Sequence, residues 1–289
     1  MRKGFLIVVA TLSLVSLVLA GAPEVYCRFE KAGRVSYGRV EGDLIHVLSA
    51  APWDGGSDTG QTVALSQVHL LSPSQPRVIL GLSRSYREAW NGEKPYKTVR
   101  WFLKPPSSAA APGDTVFLPA SLDELLVEVE LVIVIGKRVK DADESEAARA
   151  IFGYTVGDDI VGSIDSYHRI NGEPLDQKET LLGPGLKIGD RFAPFGPFVY
   201  RGVNWKGLIR RLRVENAATG KNLTYEHTTA HLVYTPAKIV RDLSRVLTLS
   251  PGDVIFTGTT KALPARDGDL VTVEIEGLGR FSNLVVKPR

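Results

Sequence analysis

Apolar residues along this chain come in short runs punctuated by glycine, proline and charge. From residue 25 to about residue 71, "VYCRFE" and "RVSYGRVEGDLIHVL" alternate with Gly turns, the pattern of small antiparallel strands. "PRVILGLS" (residues 76–83) predicts another strand, running into "RSYREAWNGEKPYKTVRW", which is polar and aromatic with no clean period. "DADESEAARAIFG" predicts a short helix capped by Asp143 or Ser145 and closed by Gly153. "YTVGDDIVG" reads as a strand broken by its own Gly-Asp-Asp. Residues 163–190 read as one long polar connection, and such loops inside compact domains are uncommon and often functional. The clearest helix is "TPAKIVRDLSRVL": Thr235 caps it, Pro236 suits its first turn, and Ile239, Val240, Leu243, Val246 and Leu247 form one apolar face. "SPGDVIFTG" and "DGDLVTVEIEGLGRFSNLVV" finish the chain as strands. The expected fold class is α+β and β-rich, with a small N-terminal β subdomain over residues 25–75 and a larger body over residues 76–289.

Two strands carry acids on alternate positions. Residues i and i+2 of a strand share a face, about 6.5–7 Å apart. Glu128 with Glu130, in "LLVEVELVIVIG", and Glu274 with Glu276, in "TVEIEG", are therefore same-face pairs. The second alternates cleanly: Thr272, Glu274 and Glu276 oppose Val271, Val273 and Ile275, a solvated face over a buried one. The first does not, because "LVIVI" after Glu130 is apolar on both faces and predicts a strand covered on both sides. Two carboxylates there repel and are costly to desolvate, so something positive must compensate. An arginine would serve, and so would a divalent cation. A third hard ligand favours the cation, and Asp158-Asp159 supplies a candidate for Mg²⁺, Mn²⁺ or Ca²⁺. No His or Cys stands at ligand spacing, which argues against zinc.

Charge narrows the partners. The 35 basic and 32 acidic side chains nearly balance, at +3, so no nucleic-acid footprint is present. With one cysteine, Cys27, an intrachain disulfide and a Cys-rich metal site are both excluded, and the residue reads as a small core group. Residues 1–24 differ from the rest: Arg2 and Lys3 precede "GFLIVVATLSLVSLVLAGA". That is the pattern of a secretory signal peptide cut near Ala20 or Ala22, and its apolar run is short for a membrane-spanning helix. Export to the periplasm or outside follows, with no stable membrane span once the leader is cleaved. The alternative is an extension read from a misplaced start codon, with a cytoplasmic protein behind it.

The ordered set "RFEKAGRVSYGRVEGD", "GLS", "FLKPPSS", "VEVELVIVIGK", "GYTVGDDI", "LKIGDRFAPFGPF", "PGDVIFTGT" and "GDLVTVEIEGLGRFSNLVV" resembles the fumarylacetoacetate hydrolase (FAH) family, of the C-terminal catalytic domain type. The likeness runs from about residue 25 to residue 287 and implies a mixed β-sandwich or roll, with residues 76–289 as the catalytic domain. It implies that Glu128, Glu130 and Asp159 are metal ligands, that Lys187 stands beside the metal, and that Thr257, Gly258 and Thr259 meet the carboxylate end of a 2-oxo acid. It also implies a homodimer. A chelated 2-oxo acid is an electron sink, because a divalent ion stabilises the enolate formed when a C–C or C–H bond breaks.

One departure bears on the reaction. The family's hydrolytic members carry a lid His and Glu that activate water, whereas "SRSYREAW" puts Trp90 at the Glu position and, at the His position, Arg87, which cannot take a proton but can pair with a second carboxylate or an enolate oxygen of the substrate. Glu88 and Glu93 are near in sequence, without a neutral-pH base beside them, and His168 in the long connection is a replacement candidate. Three functions follow as expectations: hydrolysis of an acylpyruvate-type diketo acid; isomerisation, decarboxylation or dehydration of a 2-oxo acid at the same metal site; or binding of a 2-oxo acid without catalysis.

Overall fold

The computed structural model describes residues 22–172 and 186–288, so the leader expected over residues 1–24 lies outside it apart from residues 22–24, and residues 173–185 of the long connection lie outside it too. Among the described residues no helix is long and apolar enough to cross a membrane. The chain is β-rich α+β, as its patterning predicts.

A large mixed sheet organises the protein. An antiparallel meander, Glu24–Lys31, Arg34–Glu41, Leu44–Leu48 and Asp58–Ala64, forms one end. Its first strand pairs with Phe198–Arg201, and the sheet continues through Ile151–Asp158, Val129–Ile135, Val254–Phe256, Ile79–Ser83 and Arg100–Lys104. The meander keeps a small core of its own, built on Cys27, Phe29, Ile45 and Val63. Burial pushes the Cys27 thiol up to about 12, which suits a core group. A five-stranded sheet, including Lys221–Thr228, Ile209–Asn216, Leu270–Ile275 and Gly279–Val286, packs its apolar face into the main core.

Several local expectations change. Helix α1 (Glu144–Ala150) starts at Asp143, whose carboxylate accepts from the Glu146 amide at 2.7 Å while Glu146 reaches back to the Asp143 amide at 3.0 Å, a capping box. Gly153 does not close it. That residue lies inside the strand Ile151–Asp158, where a Cβ would stand 2.4 Å from the Tyr200 carbonyl oxygen. Residues 163–190 are not loop throughout: Ser163 caps helix α2 (Ile164–Asn171). Helix α3 (Pro236–Ser244) is capped by Thr235 and buries Ile239, Val240 and Leu243, but ends before Val246, which is 62% exposed. The expected single strand over residues 125–135 is two, Leu125–Val127 and Val129–Ile135, which join different sheets and meet at Glu128.

Candidate metal centre and its surroundings

The break at Glu128 places the first carboxylate. Its amide donates to Asp158 Oδ1 at 2.8 Å instead of to a neighbouring strand, and its carbonyl accepts from the Asp159 amide at 3.0 Å. Glu130 follows on Val129–Ile135, flanked by Ile151–Asp158 and Val254–Phe256, and is 1% exposed. Asp159 stands just past the end of Ile151–Asp158 and is equally buried. One carboxylate oxygen from each of Glu128, Glu130 and Asp159 lies within 4.8 Å of the others.

Two lysines face this cluster. Lys187 Nζ donates to Asp159 Oδ2 at 2.7 Å and to Glu128 Oε2 at 3.3 Å. Lys104 is fully buried, with Nζ donating to the carbonyls of Ile160, Lys187 and Phe192 at 2.8, 2.8 and 2.9 Å. It also forms an ion pair with Asp159 Oδ1 at 2.7 Å. Glu130 Oε1, by contrast, is buried with no partner among the described residues. An unpartnered, buried carboxylate oxygen with two further carboxylates within 4.8 Å is what a hard divalent cation requires, so the residues fit Mg²⁺, Mn²⁺ or Ca²⁺.

Burial, then Asp159 and Glu128, push Glu130 well above the usual carboxylate range, and burial raises Glu128 as well. Burial alone would also raise Asp159, but Lys104 and Lys187 outweigh it and hold that carboxyl low. For Lys187 the balance reverses: burial pulls down, and the Asp159 and Glu128 charges more than restore it. Burial drags Lys104 below its usual value against the opposing pull of Asp159. Asp158, which holds the strand break, is pushed by burial up to about 8.

The Thr257–Gly258–Thr259 turn closes one side. Thr257 spends its hydroxyl on the Leu131 carbonyl at 2.9 Å and is fully buried. The Gly258 amide donates to Glu130 Oε2 at 2.6 Å; its φ of +87° and a Cβ position 2.2 Å from Ser85 Oγ leave room for glycine alone. Thr259 Oγ1 is buried without a partner, so it is the hydroxyl of the turn that is free for a ligand.

The two other sequence candidates lie apart from the carboxylates. Arg87 is exposed at the start of the short turn Arg87–Trp90, and His168 is exposed on α2 with no side-chain hydrogen bond among the described residues. Sequence reasoning missed a second cluster. Glu88 does have bases beside it: Oε1 lies 3.2 Å from His227 Nε2 and bonds His231 Nδ1. The signal was present in "HTTAH", which holds two of the five histidines, but pairing with Glu88 is a long-range event. Arg210, fully buried, connects the clusters: it donates to the Gly258 carbonyl at 3.1 Å and to His227 Nδ1 at 3.2 Å, and its guanidinium lies 4.2 Å from the Tyr86 ring centre. The Tyr86 hydroxyl and Arg210 Nε are also buried without partners.

Known proteins are similar to this chain in sequence and fold. The family profile described as fumarylacetoacetate (FAA) hydrolase C-terminal matches residues 79–286, and one described as Rv2993c-like, N-terminal matches residues 26–73. Protein Rv2993c of Mycobacterium tuberculosis is 29% identical over 265 residues, spanning 88% of this chain and 94% of that protein. The crystal structure of 5-carboxymethyl-2-hydroxymuconate delta-isomerase from Mycobacterium smegmatis superposes with a TM-score of 0.76 at 28% identity, covering 91% of this chain and all of that one. Maleylpyruvate hydrolase from Sphingobium sp. SYK-6, in complex with manganese(II) and pyruvate, gives 0.68 at 25% identity, covering 92% of this chain and all of that one.

Proposed function

The chain belongs to the fumarylacetoacetate hydrolase family, and on that footing we propose that it is a divalent-metal-dependent enzyme that enolises a small 2-oxo acid, with isomerisation as the net reaction. The observation that carries this reading is the three-carboxylate cluster of Glu128, Glu130 and Asp159, with the buried Glu130 Oε1 unpartnered, set between two lysines and the Thr257–Gly258–Thr259 turn. The manganese and pyruvate in the maleylpyruvate hydrolase and the activity named for the mycobacterial isomerase support it.

Glu128, Glu130 and Asp159 would hold the ion, Mg²⁺ or Mn²⁺, whose charge supplies the electron sink for the 2-oxo acid. The chain's own residues do the rest. Lys104 fixes Asp159 through their buried ion pair. Lys187, kept charged by Asp159 and Glu128, places positive charge where an enolate oxygen develops. The Gly258 amide orients Glu130 through Oε2, and Thr259 Oγ1 offers a hydrogen bond to the substrate carboxylate. The buried walls exclude water from these groups and strengthen their effect.

Hydrolysis of an acylpyruvate-type diketo acid is the second reading, favoured by Glu88 with its two imidazoles as a source of an activated water. Assaying the purified protein with Mn²⁺ on acetylpyruvate, fumarylpyruvate, oxaloacetate and a 2-keto-3-deoxy sugar acid separates the readings. Tautomer or double-bond isomer products support the first, and cleavage products the second. Turnover that is indifferent to Mn²⁺ and to Glu130→Ala would reject both.

A further inference from the structure

We propose that His231, oriented by Glu88, is the proton-transferring group of this active site and takes the place of the histidine that Arg87 displaces from the lid. The proposal rests on the reading of the site as one that enolises a 2-oxo acid. Hydrogen-bond logic assigns the protons. Arg210 can only donate, so His227 Nδ1 must accept from it, and the His227 proton sits on Nε2, aimed at Glu88 Oε1. Burial opposes, but a hydrogen bond from its own backbone amide and then the His231 and His227 contacts hold Glu88 low, so it is a carboxylate and accepts from His231 Nδ1–H as well. His231 Nε2 is left with its lone pair and no partner among the described residues, on a side chain 35% exposed. A carboxylate on Nδ1–H and a free Nε2 is the arrangement of an imidazole base.

The same logic speaks against a second metal ion on these three residues. A ligating histidine donates its other N–H to a carbonyl or carboxylate, whereas His227 Nδ1 faces a guanidinium that has no acceptor.

Two routes tie the cluster to the substrate turn. Arg210 bonds the Gly258 carbonyl and His227, and Tyr225 bonds the Thr260 hydroxyl while its ring stacks on His227 at 6.1 Å. The charged and titratable groups against His231 are Glu88 from the lid turn and His227 from Lys221–Thr228, with Arg210 and Tyr225 behind His227 and Lys261 over the Tyr225 ring.

The step balances without any added reagent. The C3–H bond of the 2-oxo acid breaks, and its electron pair moves into a C2–C3 double bond. The C2 oxygen takes the negative charge opposite Lys187, and the proton goes to His231 Nε2. The imidazolium, stabilised by Glu88, then returns that proton to the same carbon or to a distant one, which isomerises the substrate. His231 is the catalytic residue here; Glu88 and His227 position it.

The test is deuterium exchange of the pyruvate methyl group in D₂O with Mn²⁺, followed by ¹H NMR, with Mn²⁺ affinity measured by EPR on the same samples. His231→Gln should lower exchange about 100-fold or more and leave Mn²⁺ affinity unchanged. It should also abolish the rise of rate with pH that marks a base losing its proton. Glu88→Gln should lower kcat and displace that limb of the profile, which a purely structural residue would not do. Exchange that survives His231→Gln, or no exchange at all while Mn²⁺ binds, overturns the proposal and leaves the metal site standing. A second equivalent of Zn²⁺ bound tightly by the parent protein and lost in His231→Gln overturns it in favour of a metal site. Absence of Mn²⁺ binding in the parent protein removes the reading beneath it, and the proposal with it.

Discussion

Glu128 with Glu130 and Glu274 with Glu276 share one spacing and meet opposite fates. Glu274 is one-third exposed and Glu276 nearly two-thirds, and Arg211, itself at the surface, bonds Glu274 at 3.0 Å and reaches Glu276 at 4.0 Å. Water and one arginine dispose of that pair cheaply. Glu130 has no such outlet. It is closed in by strands on both sides and answered by the Gly258 amide and the charge of Lys187, groups drawn from two separate parts of the chain. A Glu-x-Glu spacing is therefore neutral information. The residues that follow it, apolar on both faces or on one, decide whether a structural face or a reactive centre results.

Four experiments would break or sharpen that contrast. The largest effect should come from Lys104→Met, which removes a buried counter-charge and takes a donor from the carbonyls of Ile160, Lys187 and Phe192. We expect a loss of about 3–5 kcal/mol in urea unfolding. Lys187→Met should fold but lower kcat about 10²–10³-fold, and Mn²⁺ affinity should rise because a competing cation is gone. A Mn²⁺ affinity that falls instead would mean the lysine helps to hold the ion.

Adding Mn²⁺ at about 100 times its Kd should stabilise the parent by about 2.7 kcal/mol, and Glu130→Ala should erase this while Glu274→Ala keeps it. The gain should grow as pH rises, since the raised Glu130 carries a proton the ion must displace. Without added metal the slope reverses. Folded Glu130 and Asp158 keep protons that the unfolded chain releases above about pH 4, so stability falls as pH climbs, for Asp158 up to about 8. The smallest effect belongs to Arg211→Ala, under about 1 kcal/mol, as for other exposed ion pairs. A larger loss would show that the second acidic pair is not simply a solvated one.

Much of this was legible in the sequence where the signal is local. Thr235 and Asp143 capped the helices they were expected to cap, and "LVIVI" foretold a strand covered on both faces. The signal failed where side chains act across the chain. The break at Glu128 depends on Asp158, thirty residues on, taking a backbone amide. Helix α2 has only a short apolar stripe, Ile164 and Tyr167, partly buried against the core; its fully buried residue is Ser166, whose hydroxyl accepts from the Asp123 and Glu124 amides at 2.7 and 3.1 Å. Lys104 reads as an ordinary strand lysine until its three carbonyl partners converge. Glu88 seemed to lack a base because His227 and His231 lie more than a hundred residues away.

Lys104 also bears on when an ion at this centre would be acquired. Two ammonium groups already answer three carboxylates, one of which burial favours in its protonated form, so the cluster is close to neutral by itself. Small zinc domains fold only as the metal arrives. This chain should complete its fold without the ion and take it up afterwards, from whatever supply the finished protein meets. Oxygen ligands accept Mg²⁺ and Mn²⁺ alike, so the supply around the folded protein, more than assembly, would choose between them.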